Sequence, residues 1–349
     1  MMLFALVASA FLFSLSTAQQ ICNGYPQLCA KPYNQYAQIA THNSFAFGKN
    51  IAANQNFDIP TQLKDGVRAL MLDAHKPPAA NATNLIELCH TSCSLLDAGS
   101  LGDTLKQINA FLRSNPGEVV TILWENFDKL PAATFAAVYK ASGVLDLVYT
   151  RTANDKNWPT LGELVSTNKR LINFIDVGTD PSQPWLLDHF TYIYETPFEV
   201  PSPDQFKCVV DRPKTGKRGD MYNLNHFIYG TFLGNNEIKI PQRGAAAVTN
   251  TQSLASHINN CRATFGAIPN FITVDFYEEG GGAAFQLAAQ LNGVTYTPRP
   301  LGALNNGSGP TAKQNGIKFG SGSSGLSAWT AFSLWASLSM ISYCILQLF

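Results

Sequence analysis

Charge is scarce in this chain. Only 14% of its 349 residues are Asp, Glu, Lys or Arg, and the 24 basic residues balance 24 acidic ones for a formal net charge of zero. Nucleic-acid binding relies on clustered Lys and Arg to meet phosphate, so that class of partner is excluded. The polar, strongly charged composition of disordered chains is also missing, because 46% of the residues are hydrophobic. No internal repeat and no interior linker divides the sequence. No glycine-rich phosphate loop follows the first predicted strand, which argues against a doubly wound dinucleotide-binding sheet.

Charge is also missing at both ends. Residues 1–18, MMLFALVASAFLFSLSTA, form an apolar run without Lys or Arg that closes on Ser16, Thr17 and Ala18. Such a run reads as a signal peptide, with an N-terminal membrane anchor as the alternative. Residues 326–349 are apolar and uncharged, and no basic residue follows them to hold a stop-transfer helix. The small residues Gly320 to Gly325 precede this tail, which is the pattern of a GPI-attachment signal; a single-pass helix is the alternative. The Gly-, Asn- and Ser-rich stretch 304–325 reads as a stalk. The expected order is therefore signal peptide 1–18, folded domain 19–303, stalk 304–325 and GPI signal 326–349, which places the protein at the cell surface.

Cysteine usage agrees with export. Cys344 lies in the tail, and the other six are Cys22, Cys29, Cys89, Cys93, Cys208 and Cys261. An even number suits an oxidising compartment. Pairing of sequence neighbours joins Cys22 to Cys29 and Cys89 to Cys93, leaving Cys208 for Cys261; a zinc site is the alternative. Sequons at Asn81 and Asn306 offer glycosylation sites.

Within the domain, short β-branched, apolar or aromatic runs alternate with helical patterns. Strands are expected at 36–40, 67–73, 119–125, 171–177, 192–195, 224–228 and 271–276. Helices are expected at 101–114, 132–141, 161–168, 253–264 and 283–291. This alternation implies βαβ units and a parallel sheet buried on both faces. At this length the expected fold is α/β, a closed (β/α)8 barrel of TIM type, whose chemistry sits at the C-terminal ends of the strands. Those ends carry His42 and Asn43, Asp73, Glu125, Asp176, Glu195, Asn225 and His226, and Asp275. Singly each could cap a helix; together they make an acidic pocket containing histidine.

Two histidines stand apart from His75, His189 and His257, which read as structural. His42 closes the first strand in THNSF. His90, in LCHTSC, adjoins Cys89, whose bridge to Cys93 would stiffen its loop. Two imidazoles on opposite sides of one reacting centre supply a general base and a general acid without large pKa tuning.

The motifs THNSF, QLKDGVRALMLDAH, LCHTSC and NPGEVVTILWEN, in this order, resemble the X domain of phosphatidylinositol-specific phospholipase C, and most of all its secreted single-domain phosphodiesterases. The likeness is strong from Ile39 to Asn126 and weaker onward to FITVDFYEEGGG. It implies an irregular TIM barrel and an inositol phospholipid or related glycolipid head group as substrate. It also implies His42 as the base that takes the inositol 2-hydroxyl proton and His90 as the acid that protonates the leaving oxygen, giving a cyclic phosphate. Metal-dependent members hold a divalent cation, Ca2+ or Mg2+, on residues that correspond to Asn43, Asp73 and Glu125. Met71 stands where they have a fourth, acidic ligand. Metal-independent bacterial members place an Arg at the position of Asp73, and Arg68 has the wrong strand parity to serve instead.

Asp275 is expected to orient His42, or else to cap a helix. Glu195, Asn225 and His226 are candidates to contact the head group. Lys207, Arg212, Lys214, Lys217 and Arg218 share one loop, read as solvated, with acidic lipid heads as the alternative. The chain is expected to act as a monomer. Competing functions on the same barrel are a sphingomyelinase-D-like or glycerophosphodiester phosphodiesterase activity, and a non-enzymatic surface protein.

Overall fold

The structure is a computed structural model that describes residues 19–78, 84–152, 155–232 and 235–302, without the side chains of 232–238. The expected signal peptide, stalk, tail and both sequons, Asn81 and Asn306, lie outside the described residues. Among the described residues no helix is long and apolar enough to cross a membrane.

Twelve strands are described: β1 (Gln38–Thr41), β2 (Ala69–His75), β3 (Glu87–His90), β4 (Leu96–Ser100), β5 (Val120–Glu125), β6 (Leu171–Ile175), β7 (Leu186–Asp188), β8 (Ile193–Glu195), β9 (Met221–Asn225), β10 (Tyr229–Phe232), β11 (Asn235–Pro241) and β12 (Phe271–Val274). Eight of them form a curled sheet in the order β7-β6-β5-β2-β1-β12-β9-β8. Every pairing along that path is parallel. The terminal strands β7 and β8 are not hydrogen-bonded to each other, so the (β/α) barrel is irregular and incompletely closed. Strands β1, β2, β6, β8, β9 and β12 are buried at every position, as parallel strands covered on both faces must be. Side chains of Ala40, Met71, Leu123, Phe174, Met221 and Phe271 share one apolar cluster.

Local chemistry sets the helices. Over Leu101–Ser114 the buried residues Leu101, Thr104, Leu105, Ile108 and Leu112 recur at helical spacing, and the Ser100 side chain accepts from Asp103 N. Thr160 and Glu163 form a capping box for Leu161–Ser166. The helix Ile59–Asp65 stops at Gly66, whose φ of 105° is readily adopted only by a residue without Cβ. The helices over Leu101–Ser114 and Ala132–Ala141 match their expected ranges to the residue.

Several elements were not expected. The segment around His90 is a hairpin of β3 and β4, hung antiparallel on the end of β2. A second hairpin, β10 and β11, follows β9, which itself starts three residues earlier than the 224–228 expectation. The cysteines are bonded Cys22–Cys29, Cys89–Cys93 and Cys208–Cys261, as neighbour pairing predicts, and not as a zinc site.

Candidate active site

Sheet register builds the site. Thr41 of β1 pairs with Val274 of β12, and the next residues, His42 and Asp275, therefore emerge side by side. His42 Nδ1 donates to Asp275 Oδ1 at 2.9 Å. Asn54 Nδ2 donates to the same oxygen at 3.0 Å. This arrangement sets the tautomer: with Nδ1 protonated, Nε2 is the basic nitrogen, and it accepts from the Tyr229 hydroxyl at 3.1 Å. The His42 ring lies flat on Phe227, centroids 3.8 Å apart, which locks its plane. Burial pushes the Asp275 carboxyl up, and the His42 contact opposes that shift.

The hairpin returns the second histidine. His90 closes β3, and its Nδ1 donates to the Ala52 carbonyl oxygen at 2.6 Å, which leaves Nε2 without a protein partner among the described residues. Burial and the nearby charge of His42 hold His90 down at about 4. Both rings line one cavity of about 370 Å³.

Backbone strain marks the same residues. Asn43 (φ 42°), Thr91 (φ 60°) and Phe276 (φ 46°) each lie in the left-handed region. They follow His42, His90 and Asp275 directly in the chain. Such conformations cost on the order of 1–3 kcal/mol each and persist where surrounding structure imposes them, typically at functional sites.

The pairing of β2 with β5 sets Asp73 beside Glu125. Burial, then Glu125 and Asp176, push the Asp73 carboxyl well above the usual range, with Arg212 opposing. Asp176 itself is pushed up to about 6 by burial and Glu125. The Asn43 amide lies 3.1 and 3.2 Å from the two Asp73 oxygens and donates to them with its nitrogen turned that way. In the opposite orientation Asn43 Nδ2 donates to Asn54 Oδ1 at 3.2 Å. Met71 lines the cavity on the same face, as its strand parity predicts.

Arg212 is the main correction to the loop reading. It is not solvated: the backbone of Arg212 pairs with Glu195 next to β8, and its side chain is only 20% exposed. Its Nη1 and Nη2 donate to the two Glu125 oxygens at 3.1 and 2.9 Å, while Nε donates to Glu195 Oε2 at 2.9 Å. The guanidinium also stacks over Phe198, 4.6 Å from the ring centroid. Lys214, by contrast, is an exposed partner of Asp211.

A resident divalent cation was expected on Asn43, Asp73 and Glu125. Calcium takes six to eight oxygen ligands, and magnesium demands near-octahedral oxygen coordination. Both Glu125 oxygens already accept from Arg212, and Met71 offers a thioether. The Arg212 charge held on Glu125 and the thioether in place of a fourth acidic ligand make these residues a poor fit for such an ion.

The head-group candidates separate. Asn225 lines the cavity. Glu195 is fully buried behind it, bonded to Arg212 and 2.8 Å from His189 Nε2; these two partners pull its carboxyl low despite burial. His226 points elsewhere. Its Nε2 donates to the Thr249 carbonyl at 2.9 Å, and its Nδ1 accepts from His257 Nδ1 at 3.0 Å. It does not line the cavity, so it is not brought to the other candidates.

Asn54, Phe227, Tyr229, Arg212 and Lys239 complete the site and were not singled out as parts of it. No periodicity marks them. They come from loops and from the β10–β11 hairpin, and only the fold places them beside His42 and Glu125.

The His226–His257 pair has a consequence for stability. Burial holds His257 at about 4 and His226 well below its ordinary value, against about 6.5 for an unfolded histidine. The unfolded chain therefore binds protons first as pH falls. The contribution is complete above about pH 6.5 and is lost progressively towards pH 4, on the order of 2–3 kcal/mol for His257 alone. Thermal unfolding followed from pH 7 to 4 is expected to show a falling melting temperature, with a shallower fall for His257→Gln. Equal slopes in the two proteins would contradict this account.

Comparison with known proteins agrees with the fold. The family profile described as PI-PLC X 1 matches residues 28–292. A PI-PLC X domain-containing protein 1 of Arthroderma benhamiae is 37% identical over 287 residues, covering 79% of this chain and 91% of that protein. An uncharacterized secreted protein of the same fungus is 38% identical over 299 residues, covering 80% of this chain; the chain spans 66% of that relative's length. A structure of phosphatidylinositol-specific phospholipase C from Staphylococcus aureus superposes with a TM-score of 0.53 at 16% identity, covering 77% of this chain and 95% of that one. The corresponding Listeria monocytogenes structure gives 0.51 at 17% identity, covering 75% and 96%. At such identities the structures are alike in fold.

Proposed function

We propose, for a chain that belongs to the PI-PLC X family, that the cavity cleaves an inositol phospholipid or related glycolipid by intramolecular attack. One observation carries this reading: His42 and His90 line a single cavity, each with Nδ1 tied to the protein, and Nε2 meets only the Tyr229 hydroxyl in His42 and no protein group among the described residues in His90.

In the proposed step the inositol 2-hydroxyl replaces the Tyr229 hydroxyl at His42 Nε2 and gives up its proton there. Its oxygen forms a bond to phosphorus as the bond from phosphorus to the diacylglycerol oxygen breaks. His90 Nε2 delivers a proton to that departing oxygen. The products are a 1,2-cyclic inositol phosphate and a neutral diacylglycerol. Asp275 holds His42 in the required tautomer and stabilises the imidazolium as it forms. A His90 held at about 4 is a weakly populated acid in the free cavity. The anionic phosphodiester raises it on binding, so the acid is charged where it is used.

The setting fits an exported protein. Three disulfides suit an oxidising compartment, and one relative is named a secreted protein. The GPI anchor, which would hold the barrel as a monomer at the membrane surface, is part of this proposal and lies outside the described residues.

The test is product identity. The mature protein incubated with head-group-labelled phosphatidylinositol is expected to release a water-soluble cyclic inositol phosphate. Phosphate retained on the lipid would point to sphingomyelinase-D-like cleavage, and turnover of deacylated diesters alone to a glycerophosphodiesterase. No turnover of any diester would leave a non-enzymatic surface protein.

A further inference from the structure

The acidic ring expected to hold a cation already contains one, on a side chain. We propose that the Arg212 guanidinium, fixed between Glu125 and Glu195, acts with Lys239 to meet the charge of the bound phosphodiester in place of a divalent ion. This inference rests on the function proposed above and names the electrophilic part of the same site.

The argument starts from donors and acceptors. Arg212 bridges Glu125 through both terminal nitrogens and Glu195 through Nε at 2.9 Å and Nη2 at 2.6 Å. A guanidinium so placed has one Nη1–H to spare, and Arg212 lines the cavity that holds both histidines. With a guanidinium bonded to both its oxygens, Glu125 already has a cationic partner, and that positive charge opposes a divalent ion beside it.

Charge leads to the same place. Arg212 and Lys239 are the Lys and Arg side chains on the cavity wall among the described residues. Lys239 lines the same cavity, on the hairpin strand β11. Arg68 is spent elsewhere, on Glu118 at 2.6 Å. Without Arg212, an incoming phosphodiester would meet Glu125 and the buried Glu195 uncompensated. With it, those carboxylates are partly neutralised and a rigidly held N–H donor remains, which costs no reorganisation when the pentavalent phosphorus develops negative charge. Packing on Phe198 and Phe190 holds the plane of the guanidinium.

Three measurements on the full mature protein test this. Turnover of phosphatidylinositol is compared in EDTA and with added Ca2+ or Mg2+. Binding of inositol 1-phosphate in EDTA and binding of Ca2+ are each followed by calorimetry. For the wild type, EDTA is expected to leave turnover unchanged, inositol 1-phosphate to bind without metal, and Ca2+ not to bind. Arg212→Gln is expected to lose turnover by on the order of 10²–10³-fold, as removal of a transition-state donor does. The same variant is expected to bind inositol 1-phosphate more weakly and, with Glu125 released, to acquire Ca2+ binding. Lys239→Ala is expected to weaken inositol 1-phosphate binding without creating a Ca2+ site.

The proposal is overturned if EDTA abolishes wild-type turnover and Ca2+ restores it, if the wild type binds Ca2+, or if Arg212 variants bind inositol 1-phosphate unchanged. Arg212 sits in a largely buried ion network whose loss also costs stability, so Arg212→Lys and the wild-type titrations stand independently of the Gln variant. Should no diester turn over under any condition, the proposed reaction fails. The two binding titrations would still decide the role of Arg212.

Discussion

His42→Ala is expected to abolish measurable release of cyclic inositol phosphate, while the fold persists. Loss of a positioned general base costs on the order of 10²–10⁴-fold in rate. Here the loss belongs at the upper end, because Asp275, Asn54 and Phe227 all converge on this one ring. Removing the imidazole leaves the buried Asp275 carboxylate with Asn54 but without the His42 Nδ1–H donor. The stability cost is on the order of 1–3 kcal/mol. Steady-state kinetics on phosphatidylinositol vesicles, with circular dichroism to verify folding, checks the result. Turnover within a few-fold of wild type would remove His42 from the mechanism.

His90→Ala is expected to lose comparable activity on phosphatidylinositol but far less on a substrate with an acidic leaving group. A diacylglycerol alkoxide departs poorly unless protonated, whereas a p-nitrophenolate needs no proton. Relative to wild type, the variant should therefore recover much of the 10²–10⁴-fold loss on a p-nitrophenyl inositol phosphate, and His42→Ala should not. Equal losses on both substrates would mean that His90 does not act as the acid.

The pH profile carries the same signature. In the free enzyme His90 is held at about 4, so the protonated fraction falls as pH rises through that value. The kcat/KM profile of the wild type should accordingly carry an alkaline limb from loss of this proton. The corresponding limb of kcat should lie at higher pH, because bound phosphodiester stabilises the charged imidazole. In His90→Ala this alkaline limb should vanish with the p-nitrophenyl substrate.

What could be read along the chain was whatever local pattern governs. The helices at Leu101–Ser114 and Ala132–Ala141 follow from apolar spacing and their flanking residues, which act within a few positions. The parallel strands follow from uninterrupted apolar runs, and the polar residues ending them pointed to His42, Asp73, Glu125 and Asp275. Disulfides between near neighbours were equally legible, since short spacing limits what each cysteine can reach. The motif set around His42 and His90 was specific enough to indicate the family before any geometry was known.

Tertiary structure decided the rest, because those contacts join residues far apart in the chain. Arg212 reaches Glu125 across 87 positions, and Tyr229 reaches His42 across 187. No periodicity records such pairs. In sequence Arg212 belongs to a basic loop and looks solvated; only its pairing beside β8 turns it inward against Phe198 and two carboxylates. His226 shows the converse. It directly follows the cavity-lining Asn225 that ends β9, yet packing gives it to His257 and Thr249. Strand parity assigns a face, but the partner across that face is set by how the sheet curls and which loops fold over its end.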